Sequence, residues 1–172
     1  MFSQTVEGLL RALAPMSATS KQKLAAIGVD PDQRLDAAYS REKWLELIHL
    51  ACDIHHPGRD REETSYELGC RFMGTYGQTL VGKAMLTALR VIGPRRALDR
   101  MSRNFRTGNN FSETKLTEPT PGRYELWCSH VTLAGWYRGV IEAGLSLAGA
   151  SDVKVTLLRR EREGAVFQVE WK

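Results

Sequence analysis

His49, Cys52 and His56 stand three and four positions apart. On a helix that spacing puts imidazole, thiol and imidazole on one side, the donor types that zinc and haem iron accept. A fourth ligand is missing nearby, and buried cysteine and half-buried histidine also border apolar helix faces without any metal. The pattern H-x2-C-x3-H is not an established zinc motif. The expectation is therefore no bound metal, with this trio as the place to look for one. Nucleophilic chemistry has still less support. Ser129 precedes His130, and Cys128 lies two before it, but strand neighbours point to opposite faces and no carboxylate stands ready to orient the imidazole. No pair of carboxylates separates itself from the solvated charge. An enzyme is not expected.

The formal charge of +4 is unevenly placed. Between residues 90 and 115 lie seven cations against two anions, Asp99 and Glu113. Arg95, Arg96, Arg100, Arg103 and Arg106 make a stripe that can meet phosphates or an acidic protein. There is no recognition-helix signature, no RNP-type aromatic pattern and no glycine-rich phosphate loop, so nucleic acid is not expected. A solvated face with local pairs, such as Asp99 with Arg95, Arg96 or Arg103, is the default.

At 172 residues, with 42% hydrophobic and 26% charged, the chain reads as a single domain over 1–172. No apolar run approaches the roughly 18 residues of a membrane span. The opening residues lack a basic start and an apolar core of a signal peptide, so a cytoplasmic location is expected. Three widely spaced cysteines without C-x-x-C indicate neither a disulfide framework nor a zinc ribbon.

The elements that must position these groups follow from periodicity. Residues 3–14 place Val6, Leu9, Leu10 and Leu13 at helical spacing before Pro15, and 19–27 form a second short helix closed by Gly28. Ser40 is a good N-cap for a helix over 41–54, the one carrying the His49 trio, and Pro57 ends it. Residues 60–77 make a longer helix with an acidic first turn. Residues 78–91 continue helically, and Gly93-Pro94 divides them from 95–106, where Leu98, Met101 and Phe105 run among the arginines. The period then changes. Residues 111–117 read as an edge strand, 118–122 as a turn, and 123–128 as a strand with Tyr124, Leu126 and Cys128 on one face. Two more strands, 152–158 and 165–171, flank a charged turn at 159–164. Residues 1–106 are thus mainly helical and residues 107–172 mixed. The fold class is α+β: an N-terminal helical layer on a C-terminal four-stranded antiparallel sheet, ordered strand–strand–helix–strand–strand.

The helix inside that sheet motif, 130–148, has an apolar arc wide enough to need cover from more than one side. Gly144 sits near its middle, where a glycine costs about 1 kcal/mol against alanine. Close approach of a neighbouring backbone, expected to be the sheet, is the reason inferred. Gly135 and Gly139 fall on the narrow polar arc. Because G-x-x-x-G is informative chiefly in membrane helices, exposed tolerance is the reading preferred here over close packing of another element. A ligand pocket is expected between helical layer and sheet, lined by Phe72, Tyr76, Tyr124, Trp136 and Tyr137, since such pockets are apolar and concave.

Several stretches carry a resemblance. Val6-Glu-Gly-Leu-Leu, Glu67-Leu-Gly-Cys-Arg-Phe-Met-Gly-Thr-Tyr, the run from Ile92 through Phe105-Arg-Thr-Gly-Asn-Asn, Ala143-Gly-Leu-Ser-Leu-Ala-Gly-Ala and Phe167-Gln-Val-Glu-Trp together resemble an uncharacterised, much-duplicated family of this length, best known from myxobacteria. More distantly, the strand–strand–helix–strand–strand end is similar to haem nitric-oxide-binding, vinyl-reductase-like and TRAPP-like domains. That likeness implies a helical layer on a small sheet, enclosing an apolar pocket or presenting an interaction face. Haem-binding members of that group take their iron ligand from a helical histidine and carry Tyr-x-Ser-x-Arg. Here no histidine lies between His56 and His130, and Tyr124 is followed by Glu-Leu-Trp-Cys, so haem held in that way is not expected. The reading is a non-enzymatic regulatory or sensory module that binds a small apolar ligand or a protein partner, a second copy included. The alternatives are a scaffold using the arginine stripe and a haem- or metal-dependent sensor.

Overall fold

Helix starts are set by side chains that the sequence supplies. Ser17, Ser40, Asp60 and Thr79 accept hydrogen bonds from the backbone N–H groups of Ser20, Lys43, Glu63 and Gly82. These caps open α2 (Ala18–Ala26), α3 (Arg41–His55), α4 (Arg61–Tyr76) and α5 (Leu80–Asp99), each satisfying an otherwise orphaned donor at about 1 kcal/mol. The computed structural model describes residues 1–172, and the remaining helices are α1 (Ser3–Ala12), α6 (Met101–Arg106) and α7 (Ala134–Leu147). Helix α5 is interrupted at Gly93, whose φ of 76° and ψ of 169° turn the chain before Pro94. Helix α3 stops where Pro57 forbids continuation, and His56 leaves it with φ −141° and ψ 90°.

Strands β1 (Thr114–Thr120), β2 (Arg123–Ser129), β3 (Lys154–Glu161) and β4 (Gly164–Glu170) form one antiparallel sheet in the order β1-β2-β4-β3. The fold is α+β, as the sequence predicts. Alternation places Tyr124, Leu126 and Cys128 of β2 and Ala165, Phe167 and Val169 of β4 in the core. One core cluster joins these residues to Leu9, Leu47, Leu68, Leu98 and Ile141 from the helices.

The boundaries of β1, β3 and α7 differ from expectation. The side chain of Asn109 accepts from the N–H groups of Phe111 and Ser112, so β1 starts at Thr114; at its other end the strand runs on to Thr120 and leaves a turn of Pro121-Gly122. Strand β3 runs on to Glu161 through a bulge between Leu157 and Arg159, leaving a turn shorter than 159–164. Helix α7 begins at Ala134 rather than 130, because His130 adopts φ 55°.

The glycines of α7 require a larger correction. Gly135 and Gly139 are buried, not exposed. A Cβ on Gly135 would overlap the carbonyl oxygen of Glu62, and one on Gly139 that of Tyr66. From the other side, a Cβ on Gly69 would meet Trp136 O at 2.6 Å. The close approach is therefore helix to helix, α4 on α7, and the sheet has no part in it. Gly144 has only ordinary contact, with Met73 Cε at 3.5 Å. The polar arc is an interface: Tyr66 donates to Glu142 Oε1 at 2.6 Å, Gly135 N to Glu62 Oε2 at 2.6 Å, and Arg138 Nε to Val155 O at 3.0 Å.

Candidate functional site

An apolar cavity of about 80 Å³ lies among the helices. Helix α4 contributes Phe72, Met73 and Tyr76; α7 contributes Trp136, Val140, Gly144 and Leu145; α5 and α6 contribute Met85, Leu89, Ala97, Met101 and Phe105. Met1, Thr5 and the loop Thr107–Asn109 line the rest of it. Its few polar side chains are already engaged. Asn104 Nδ2 donates to Ala97 O, Thr107 Oγ1 to Asn104 O, and Thr5 Oγ1 to Gly108 O, while Asn109 accepts the two loop N–H groups. Burial raises the pKa of the Tyr76 phenol, which keeps it neutral.

Of the five expected pocket residues, Phe72, Tyr76 and Trp136 line this cavity. Tyr124 and Tyr137 do not. No strand residue reaches it, so the pocket is interhelical rather than between helices and sheet. Helix α7 intervenes, turning Tyr137 to stack on Phe167 with ring centroids 6.3 Å apart. Tyr124 stacks on Trp171 at 4.8 Å beneath the Arg95 guanidinium. The methionines and Phe105 are not among the expected lining residues. The signal that could have found Phe105 is the Phe105-Arg-Thr-Gly-Asn-Asn stretch, which supplies Phe105, Thr107, Gly108 and Asn109; no such signal marks the methionines.

The arginine stripe splits in two. Arg95 is tied into the fold by Asp99 at 3.4 Å and Glu118 at 3.2 Å. Arg96, Arg100, Arg103 and Arg106 lie at least partly open to solvent and make no ion pair within 4 Å.

His49, Cys52 and His56 do not converge. Cys52 faces the core, where burial pushes its thiol up to about 11. The Nδ1 of His49 is buried without a hydrogen-bond partner. His56, off the helix, turns to Glu67, with Nε2 2.9 Å from Oε2. The trio that does come together is His55, His56 and Glu67. Near β2, Ser129 Oγ accepts from Glu113 N at 2.8 Å and lies 3.3 Å from Phe111 O. Its hydroxyl ties the start of β1 to β2.

The sequence profile of DUF2378, described as a protein of unknown function, matches residues 1–172. The chain belongs to the DUF2378 family. No curated protein matches it. Among solved structures, this DUF2378 chain is similar to an oxygen binding H-NOX domain related to soluble guanylate cyclases, with a TM-score of 0.75 and 12% identity, covering 100% of this chain and 95% of that one. It is similar also to an Fe(II) unliganded H-NOX mutant from K. algicida, with a TM-score of 0.68 and 9% identity, covering 100% and 97%. At such identities the likeness is one of fold.

Haem is named with the H-NOX family, and the DUF2378 cavity can be tested against it. Its lining contains no histidine and no lysine or arginine to receive propionates. Its phenol is held neutral, and the cavity falls well short of the ~300 Å³ at the lower end of cofactor sites. These residues do not fit a haem. No helix is long and apolar enough to cross a membrane.

Proposed function

We propose that this chain is a non-enzymatic sensory module whose input is the occupancy of its interhelical cavity by a small apolar molecule. The observation that carries the reading is the cavity itself: an apolar space walled by helices, its polar groups already paired. The oxygen binding described for an H-NOX relative supports a sensory use of the fold. Size sets the ligand class. An engineered apolar cavity of about 150 Å³ admits benzene or xenon, so about 80 Å³ favours something smaller than benzene, such as a dissolved gas or a short hydrocarbon.

The test uses xenon as the probe, with the methyl NMR signals of Met73, Met85 and Met101 as reporters. Xenon is expected to shift these signals in the wild type and to leave them unmoved in Ala97→Leu, whose side chain grows into the cavity. Unmoved methionine signals in the wild type would reject the reading.

A second reading has its own observation, the four arginines without ion-pair partners. It assigns them to an acidic protein partner. Replacing Arg96, Arg100 and Arg103 with glutamate is expected to abolish capture of that partner, with stability changed by no more than about 0.5 kcal/mol per site. Unchanged capture in pull-downs would dismiss the stripe.

A further inference from the structure

At the end of α3, His55 and His56 face Glu67 of α4. Adjacent residues of a continuing helix point about 100° apart. Because His56 has left the helix, its ring instead lies beside that of His55, with centroids 4.3 Å apart. Glu67 Oε2 is 2.9 Å from His56 Nε2 and 3.8 Å from His55 Nε2. One donor atom from each residue lies within 4.8 Å of the other two. Ligand atoms bound at about 2.0–2.1 Å to a tetrahedral ion stand roughly 3.3 Å apart, so small side-chain rotations close the trio on one. The second carboxylate oxygen is held elsewhere. Arg59 Nη1 donates to Glu67 Oε1 at 2.7 Å while its Nε donates to Glu63 Oε2 at 3.1 Å. That fork fixes the carboxylate with Oε2 toward the imidazoles, as outer-shell groups do in metal sites. The His55 side chain is 12% exposed against 41% for His56, so the site is closed toward the protein and open to solvent on the other side.

We propose that His55, His56 and Glu67 form a binding site for one divalent transition-metal ion of the zinc class, with solvent completing its coordination. Two imidazoles and a carboxylate suit Zn²⁺, Cu²⁺ or Ni²⁺, whereas Ca²⁺ and Mg²⁺ call for shells of oxygen. The ion joins the last turn of α3 to α4, the helix that carries Phe72, Met73 and Tyr76 into the cavity wall. The site is independent of what the cavity holds.

The experiment takes the full chain without an affinity tag, strips it with chelator, and titrates Zn²⁺ by calorimetry and Cu²⁺ by electron paramagnetic resonance. One equivalent is expected to bind, with the Cu²⁺ spectrum showing two nitrogen ligands. His56→Ala and Glu67→Gln should each weaken binding by at least about tenfold, with circular dichroism unchanged, while His130→Ala leaves it intact. No uptake by the wild type would overturn the site and leave a plain Arg59–Glu67–His56 ion-pair network. Wild-type affinity in both variants, or loss on His49→Ala alone, would overturn it as well.

Discussion

Gly139→Ala is expected to lower the unfolding free energy by about 3 kcal/mol, the upper end of ordinary overpacking. Gly144→Ala, five residues along the same helix, should leave it unchanged or raise it by up to about 1 kcal/mol through helix propensity. The contrast rests on what each new methyl meets. At Gly139 it overlaps the Tyr66 carbonyl oxygen and sits 2.9 Å from Cys70 N and 3.1 Å from Gly69 Cα. All three are main-chain atoms that no rotamer change can move, so the helices must separate. At Gly144 the nearest atom is the end of a flexible methionine at 3.5 Å. Urea denaturation of both variants, read as midpoint shifts at constant slope, checks the pair. Equal behaviour would mean that the α4–α7 contact is not as close as described.

Trp136→Ala is expected to cost about 3–5 kcal/mol and to create a binding capacity the wild type lacks. The indole packs against Trp44 at 5.5 Å and Phe72 at 5.0 Å. It also stands between the main cavity and a smaller one of about 20 Å³ beside Trp44, Ile48 and Tyr137, lining both. Removing it merges the two into a space large enough for benzene or indole. Added benzene should raise the melting temperature of Trp136→Ala by several degrees through ligand linkage and leave the wild type unaffected. Trp136→Leu, a milder truncation, covers the case in which the alanine variant does not fold. No response in either variant would show that the surroundings collapse into the space.

Most helix ends are legible in the sequence because they depend on local chemistry: Ser40 and Asp60 as caps, Pro57 as a stop, Gly93 ahead of Pro94 as a break. The strand alternation of Tyr124, Leu126 and Cys128 is equally plain, since period two leaves little freedom once a turn residue such as Gly122 is placed. The glycines of α7 mislead because a helical wheel counts glycine as polar by default. With Thr132, Arg138 and Glu142 for company, Gly135 and Gly139 look solvated. In the fold Arg138 and Glu142 commit their polar groups to Val155 and Tyr66, and α4 occupies the space that missing side chains leave. Tyr124 points inward as its alternation demands, yet at a different site from the cavity, because only the three-dimensional course of α7 shows that it separates sheet from cavity. At His56 the difficulty is of another kind. Extrapolating i to i+7 assumes a continuing helix, and His56 is the residue at which α3 ceases to be one.

The seam between α4 and α7 is made of main chain lying on main chain, so it has no rotamers through which to yield. Sliding by one residue would replace glycine with Arg138 or Val140 against the Tyr66 carbonyl. The other side of the cavity is built differently, from Met85 and Leu89 on a rod broken at Gly93 and Met101 of the helix after it. The backbone seam is thus the stiff part, and a guest that needs more room is expected to displace the Met73 side chain and the first half of α5 before it parts α4 from α7.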